Sequence, residues 1–239
     1  MNIEICNTYE EISCKAKRIV TDDLMQHQTS LLCAATGGSP TRMYEMLVGE
    51  YMAKPDLFSQ MRVIKLDEWG GIPMQHAGTC ESYLQQHVIQ PMRITEDRYI
   101  SFQSQTNDPS EECRRIQQEL NVKGPIDICI LGLGMNGHMA LNEPAGFLQP
   151  DCHVADLSFQ SLQHPMISDE SEKPAYGLTL GIADIMQSKR IIMLINGAHK
   201  WEITKQFLTK KITTQLPASL LWLHPNVNCL IDKEAAAGG

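Results

Sequence analysis

The segment between Gly134 and Pro144 contains the residue types that proton transfer requires. Within it, His138 and Glu143 lie five residues apart, among glycines that favour an open turn. A histidine titrates near neutral pH, and a carboxylate can orient its ring and balance its charge, so the two side chains suit a proton shuttle. A metal site would need a further ligand at a diagnostic spacing, such as His-Glu-x-x-His on a helix, which the segment lacks. We therefore expect acid–base chemistry and no metal.

A second candidate for proton transfer is Asp67. Together with Glu68 it follows the apolar residues 63–66 and precedes Trp69. A carboxyl group at the end of a buried strand, beside an apolar ring, can have its pKa raised into the range in which it acts as a base. The alternative is that Asp67 only caps the following turn.

Residues Thr36, Gly37, Gly38 and Ser39 form a glycine-rich turn ahead of Pro40. Two glycines allow a ligand to approach the backbone. Ser39 suits a helix N-cap and Pro40 the first helical position, so free amides and the helix dipole would face the same ligand. The turn lacks the patterns of a P-loop and of a dinucleotide site. It predicts a site for a phosphate monoester, and the alternative is a tight strand-to-helix turn without a ligand.

A cation that could bind the same phosphate is Lys200. It comes shortly after the apolar residues 191–195, and the alternative is an ordinary exposed lysine. A serine hydrolase is not favoured, because the chain lacks the Gly-x-Ser-x-Gly pattern of a nucleophile elbow. Four other histidines have no partner pattern around them and are expected to be structural or surface residues: His27, His87, His164 and His224.

A sheet must bring these distant residues together. Short apolar runs alternate with longer segments of helical period, which predicts an α/β fold with a three-layer, doubly wound, mainly parallel sheet. In such sheets, ligands bind beyond the carboxyl ends of the strands. We expect one domain over residues 1–233 and a disordered tail over residues 234–239. Four polar or glycine-rich segments follow predicted strands and should meet at one edge: residues 36–40, 67–71, 132–143 and 196–200.

The composition restricts the classes of partner. The chain has 239 residues, of which 43% are apolar, and a formal net charge of −8. This charge, without a basic cluster, argues against nucleic acid and anionic membranes as partners. The chain has no run of 18 apolar residues and no secretory signal, so we expect a cytoplasmic protein. The eight cysteines include no Cys-x-x-Cys pair and are expected to be reduced core thiols.

In this order, the segments resemble the glucosamine-6-phosphate deaminase/isomerase family, within the fold group that also contains 6-phosphogluconolactonases and ribose-5-phosphate isomerases. The resemblance covers nearly the whole chain. Asn-Glu-Pro-Ala is typical of the deaminases, whereas the lactonases carry Asp-Glu-Arg where this chain has Asp-Glu-Trp. The segments that carry the resemblance are residues 35–40, 66–69, 78–83, 126–145, 177–181 and 197–200.

The resemblance implies an activity and roles for individual residues. By position, Asp67 corresponds to the aspartate that moves protons between C1 and C2 of the sugar. His138 corresponds to the histidine that opens the sugar ring, and Glu143 to the glutamate that supports it. Residues 36–39 and Lys200 correspond to the phosphate-binding residues. The implied reaction converts a 2-amino-2-deoxyhexose 6-phosphate into a ketose 6-phosphate and ammonia, without a cofactor, on a Rossmann-like fold.

One position departs from the pattern of the glucosamine-specific members. Asn136 stands where those proteins typically have an aspartate, and an amide cannot ionise. We therefore expect Glu143 alone to supply the charge to His138, and Asn136, a member of the catalytic group, to mark a different sugar preference. The segments around Glu68, Cys80 and residues 218–224 most resemble the galactosamine-6-phosphate branch. Galactosamine 6-phosphate is accordingly expected ahead of glucosamine 6-phosphate, with Glu68 among the residues that bind it.

Two other functions are compatible with parts of the pattern. A 6-phosphogluconolactonase-like lactone hydrolase is disfavoured by the Asn-Glu-Pro segment, and a non-catalytic sugar-phosphate sensor is disfavoured by the intact Asp67, His138 and Glu143. Allosteric bacterial enzymes of the family that the chain resembles bind an effector phosphate through basic residues just after the Asn-Glu-Pro motif. Residues 151–169 of this chain contain no Arg or Lys, so the resemblance implies no activation by an N-acetyl sugar phosphate. A homo-oligomer is compatible with the sequence.

Overall fold

A parallel sheet forms the centre of the molecule. The structure, a computed structural model, describes residues 1–164, 166–167 and 173–237. Within these ranges the parallel sheet contains β1 (Asn2–Cys6), β2 (Leu31–Ala34), β3 (Arg62–Lys65), β5 (Tyr99–Ile100), β6 (Ile128–Gly132), β9 (Arg190–Ile195) and β10 (Val227–Asp232). The strand order is β1-β10-β9-β6-β2-β3-β5. All six pairings in it are parallel, which confirms the predicted mainly parallel sheet.

A small antiparallel sheet stands beside the large one. It consists of β4 (Asp67–Gly70), β7 (His153–Ala155) and β8 (Tyr176–Thr179), in the order β4-β8-β7. Only Leu66 separates β3 from β4, so the chain leaves the large sheet there and enters the small one. The sequence predicts residues 67–71 as a polar segment beyond the end of a parallel strand and does not relate them to residues 176–179. Instead these two segments pair, with Asp67 opposite Thr179.

Helices connect the parallel strands. Thr8 caps the first helix by accepting a hydrogen bond from the Glu11 amide, and Asp108 caps the fourth in the same way, ahead of Pro109. Both caps agree with the sequence pattern. The helices of the described ranges are α1 (Tyr9–Gln26), α2 (Gly38–Ala53), α3 (Cys80–Leu84), α4 (Pro109–Lys123), α5 (Phe159–Leu162), α6 (Ile182–Met186), α7 (Trp201–Leu208) and α8 (Lys233–Ala237).

The core lies along the middle strands. All four residues of β2 are buried, as are the last five of β9, so both faces of the sheet are covered. The expected disordered tail begins instead with a helix, because Lys233–Ala237 form α8 and Ala235 is buried. The Asp232 carboxylate accepts a hydrogen bond from the Ala235 amide at 2.8 Å and so caps this helix. No helix in the described part of the chain is long and apolar enough to cross a membrane.

Candidate active site

One cavity of about 550 Å³ lies at the carboxyl ends of β2, β6 and β9. Asp67, at the start of β4, forms part of its wall. A larger surface groove of about 640 Å³, lined mainly by glutamines, contains none of the predicted site residues. The structure therefore brings most of the predicted residues into the smaller cavity: Thr36, Gly37, Gly38, Ser39, Asp67, His138 and Lys200.

The glycine turn presents its amides to this cavity. Gly37 has a φ of +97°, which strongly favours glycine, and α2 begins at Gly38. The Gly37 carbonyl accepts a hydrogen bond from the Tyr83 hydroxyl at 3.0 Å, and the Gly38 carbonyl accepts one from the Tyr9 hydroxyl at 2.6 Å. The first amides of a helix have no partner within the helix and carry the positive end of its dipole. The turn can therefore bind an anion.

Ser39 differs from the sequence prediction. It was expected to cap α2, but Gly37 occupies the N-cap position and Ser39 lies within the first turn of the helix. The Ser39 hydroxyl donates instead to Oδ1 of Asn196 at 2.7 Å. This bond joins the loop after β2 to the loop after β9, so Ser39 stabilises the site as well as lining it.

Lys200 supplies the cation. Its Nζ donates to the Leu133 carbonyl at 2.6 Å, which places the ammonium group at the cavity wall. Burial lowers the pKa of Lys200 to about 8. No carboxylate of residues 1–164, 166–167 or 173–237 forms an ion pair with it. A partly buried ammonium group without a counter-charge is favourable for binding an anion.

His138, Glu143 and Asn136 form one cluster. Glu143 Oε2 lies 3.5 Å from His138 Nδ1 and accepts a hydrogen bond from Asn136 Nδ2 at 2.8 Å. Oδ1 of Asn136 accepts a bond from the His138 amide at 3.1 Å. Burial raises the pKa of Glu143, but the contacts with His138, Ser161 and Asn136 outweigh it and bring the pKa to about 2. Glu143 is therefore ionised beside a histidine that faces the cavity.

Ser161, in α5, was not predicted from the sequence. Its hydroxyl donates to Oε1 of Glu143, the oxygen that does not face Asn136. Ser161 also lines the cavity. The carboxylate of Glu143 is thus held from both sides, which fixes its orientation toward His138.

Asp67 lies across the cavity wall in the small sheet and is partly exposed. Burial of the carboxyl group, together with the nearby charge of Glu68, raises the pKa of Asp67 to about 7. A carboxyl group with this pKa can accept a proton and return it near neutral pH. The expected proton-transferring group therefore has suitable chemistry and faces the same cavity as His138.

Glu68 does not bind a ligand in the way that the sequence predicted. Its side chain is fully buried, and Oε2 lies 2.6 Å from Nζ of the equally buried Lys65. Oε1 accepts a hydrogen bond from the Cys80 amide at 2.9 Å, and Oε2 accepts one from the Glu81 amide at 2.8 Å. These contacts occupy the carboxylate and anchor the first turn of α3. Glu68 is therefore a structural residue beneath the cavity.

His164 is a cavity residue that sequence reasoning placed elsewhere. Its Nδ1 accepts a hydrogen bond from the Met166 amide at 3.3 Å, so the ring proton is on Nε2. A Cβ built on Gly37 would lie 3.4 Å from this Nε2, which places the donor beside the glycine turn. Burial, together with the charges of His138 and Lys200, lowers the pKa of His164 to about 4. No local sequence signal indicates this position, because the turn lies far away along the chain.

Two further cavity residues come from segments that carried the family resemblance. Trp69 and Cys80 both line the cavity and are almost fully buried. The indole Nε1 of Trp69 has no hydrogen-bond partner in the described structure. Within the same ranges, no group of three His, Cys, Asp or Glu side chains could hold a metal ion.

Comparisons with known proteins identify the family to which the chain belongs. The family model of glucosamine-6-phosphate isomerases/6-phosphogluconolactonase matches residues 9–230. An Escherichia coli K12 protein named "Putative deaminase AgaI" is 39% identical over 224 residues, covering 94% of this chain and 89% of that protein. Glucosamine-6-phosphate deaminase 1 of Bacillus subtilis 168 is 34% identical over 242 residues, covering 99% of each chain. The chain therefore belongs to the family of glucosamine-6-phosphate isomerases and 6-phosphogluconolactonases.

A solved structure supports the same assignment. A monomeric glucosamine-6-phosphate deaminase of the NagB superfamily superposes with a TM-score of 0.93 at 34% identity, and the match covers 100% of both chains. The 6-phosphogluconolactonase of Trypanosoma brucei superposes with a TM-score of 0.75 at 21% identity. The lactonase thus shares the fold, and the deaminase is similar in both fold and sequence.

Proposed function

We propose that the protein is an amino-sugar-phosphate deaminase that converts a 2-amino-2-deoxyhexose 6-phosphate and water into a ketose 6-phosphate and ammonia. Galactosamine 6-phosphate is the preferred substrate, ahead of glucosamine 6-phosphate. One observation carries the proposal: Asp67 and His138, which has Glu143 beside it, face the same cavity as an anion site built from the glycine turn and Lys200. The membership of the chain in the glucosamine-6-phosphate isomerase family supports the reaction class.

The phosphate group binds at the N-terminus of α2. The amides of Gly38 and Ser39 donate to its oxygens, and the Lys200 ammonium group neutralises part of its charge. Nε2–H of His164 adds a donor from the opposite side of the turn. A phosphate held there places the sugar across the cavity, toward His138 and Asp67.

His138 opens the sugar ring. Protonation of the ring oxygen O5 by the imidazole breaks the C1–O5 bond, while the proton of the C1 hydroxyl leaves to solvent and C1 becomes an aldehyde. Glu143, ionised and held by Asn136 and Ser161, stabilises the positive charge that His138 carries before it gives up its proton. The carboxylate remains charged throughout.

Asp67 then moves a proton from C2 to C1. The carboxylate removes the C2 proton while the aldehyde oxygen O1 takes up a proton from solvent, which produces an enolamine. Asp67 then returns its proton to C1, which leaves a hydroxyl at C1 and a protonated imine at C2. Water adds to this carbon and ammonia leaves, giving the ketone. A base with a pKa near 7 serves both directions of this transfer at neutral pH.

The preference for galactosamine 6-phosphate rests on the cavity wall. Trp69 and Cys80 belong to two of the three segments that most resemble the galactosamine-6-phosphate branch, and both line the cavity in which the sugar would lie. The proposed epimer preference therefore depends on Trp69 and Cys80.

The test is an assay of purified protein with galactosamine 6-phosphate, glucosamine 6-phosphate and 6-phosphogluconolactone. We expect ammonia and ketose 6-phosphate in equal amounts from the amino sugars, with the larger kcat/KM for galactosamine 6-phosphate. An Asp67→Asn variant serves as the inactive control. Lactone opening without ammonia release would refute the deaminase, and a larger kcat/KM for glucosamine 6-phosphate would refute the epimer preference alone.

A further inference from the structure

The carboxylate of Asp67 is sparsely hydrogen-bonded for a group at the centre of a site. In the part of the chain that the structure describes, its side chain has one hydrogen-bond partner, the Cys80 thiol, with Sγ 3.9 Å from Oδ1. Cys80 is 2% exposed and lines the cavity. A thiol is a weaker donor than a hydroxyl or an amide. The hydrogen bond from Cys80 thus orients the carboxylate but stabilises its negative charge only weakly.

Thr36 determines which way the thiol proton points. The Thr36 hydroxyl donates to Cys80 Sγ at 3.3 Å, so the sulfur acts as the acceptor in that contact. Its own proton is then available to Asp67. The three side chains form a directed sequence of hydrogen bonds, from the phosphate-binding turn to the carboxylate.

The backbone holds Cys80 in this position. Cys80 is the first residue of α3, Thr79 caps that helix, and the Cys80 amide donates to Glu68 at 2.9 Å. Glu68 is fixed by its contact with the buried Lys65. Burial and the charges of Glu68 and Asp67 raise the pKa of the Cys80 thiol well above its usual value, so it remains a donor.

We propose that Cys80 is a positioning residue for Asp67: its thiol, oriented by Thr36, fixes the carboxylate oxygen that receives the substrate proton and donates weakly enough to keep that carboxylate basic. The inference rests on the proposed function, because it takes Asp67 to be the base. It assigns a use to a cysteine beyond core packing.

Other ionisable groups around Asp67 do not substitute for this contact. Glu68 from its own strand and Lys65 from β3 act on its charge in opposite directions. The charge of Asp67 also acts on Cys33 of β2 and Tyr44 of α2, and both have a raised pKa that keeps them neutral, mainly because they are buried. A change at position 80 therefore alters hydrogen bonding to Asp67 without changing a neighbouring charge.

Two substitutions make opposite predictions. Cys80→Ser replaces a weak donor with a stronger one, which stabilises the carboxylate and lowers the pKa on the acidic limb of the kcat/KM profile by about half a pH unit. Cys80→Ala removes the donor and raises that pKa by a similar amount. In both variants kcat falls, roughly 3- to 10-fold, while KM stays close to that of the wild type, because neither substitution changes Lys200 or the backbone amides of the glycine turn. A change in packing alone would not move the two profiles in opposite directions.

The experiment measures ammonia release between pH 5 and 9 for the wild type, both variants and Cys113→Ser, a buried control in α4 outside the cavity. Titration of the Asp67 carboxyl carbon by ¹³C NMR without substrate gives the same pKa independently of activity. The direction of the pKa shift is predicted separately for each variant, so the proposal can be tested even if only one variant folds. Shifts of the same sign, or profiles identical to that of Cys113→Ser, would overturn the role of Cys80. An inactive wild type would instead refute the proposed function.

Discussion

Glu143 Oε2 lies 3.5 Å from Nδ1 of His138, within range of a strong electrostatic interaction but beyond a good hydrogen bond. The same oxygen accepts a bond from Asn136, and the other carboxylate oxygen accepts one from Ser161. Two neutral donors thus hold an ionised carboxylate beside an imidazole. A small movement of the ring would complete a bond to the carboxylate when His138 becomes protonated.

Replacement of Glu143 by glutamine should remove this charge while keeping the size of the side chain. We expect kcat to fall about 100-fold, because the protonated form of His138 loses its counter-charge. KM should change little, since the phosphate site does not include Glu143. Steady-state ammonia release measures both values, and Glu202→Gln on the exposed face of α7 is the matched control. Full activity of Glu143→Gln would contradict the role of the carboxylate.

Replacement of Asn136 by aspartate should weaken the same cluster. The Nδ2 donor to Glu143 is lost, and the new negative charge raises the pKa of Glu143 from about 2. We expect the activity of the variant to fall at a higher pH than that of the wild type when the solution is acidified. We also expect the ratio of kcat/KM for galactosamine 6-phosphate to kcat/KM for glucosamine 6-phosphate to change. A rate and epimer preference unchanged from pH 5 to 8 would show that Asn136 has neither role.

Replacement of Lys200 by methionine should affect phosphate binding. We expect kcat/KM to fall roughly 100-fold, mainly through KM, because a charge-assisted contact contributes about 1.5–3 kcal/mol. Inhibition by inorganic phosphate should weaken in parallel. Lys211→Met, at an exposed position, is the control. An unchanged phosphate inhibition constant would place the anion elsewhere.

The raised pKa of Asp67 predicts a pH dependence of stability. An unfolded aspartate has a pKa of about 4, and the folded value is about 7, so between these values the folded state binds more protons. Stability should therefore fall as pH rises through this window. Asp67→Asn should lack this loss and melt about 5 °C higher than the wild type at pH 8, with a smaller difference at pH 4. Calorimetry of both proteins at several pH values tests this, and parallel curves of Tm against pH would be inconsistent with it.

The parts of the fold and site that depend on local patterns could be predicted from the sequence. Apolar strands followed by polar segments gave the parallel sheet, and the same rule placed Asp67, His138 and Lys200 at one edge. By contrast, the sequence did not indicate that β1 pairs with β10. This strand lies at the edge of the sheet, is partly exposed and alternates polar with apolar residues.

The remaining features depend on contacts between distant residues. The antiparallel pairing of Asp67–Gly70 with Tyr176–Thr179 joins two segments that local sequence cannot relate. In the sequence, Glu68 resembles a ligand-binding carboxylate because it is next to Asp67. Only the folded structure shows that its side chain is buried and paired with Lys65. His164 lies beside the glycine turn because of the course of the chain after β7. The residues next to His164 in sequence do not indicate this course.

The candidate site is divided between two sheets, and this separates the proposed phosphate binding from the proposed proton transfer. The residues of the proposed phosphate site belong to loops of the large parallel sheet, whereas Asp67, the proposed base, belongs to the small antiparallel sheet. Substitutions in the small sheet can therefore alter the sugar preference without changing the residues proposed to bind the phosphate group. In the proposed mechanism, sugar preference and phosphate recognition can therefore change independently of each other.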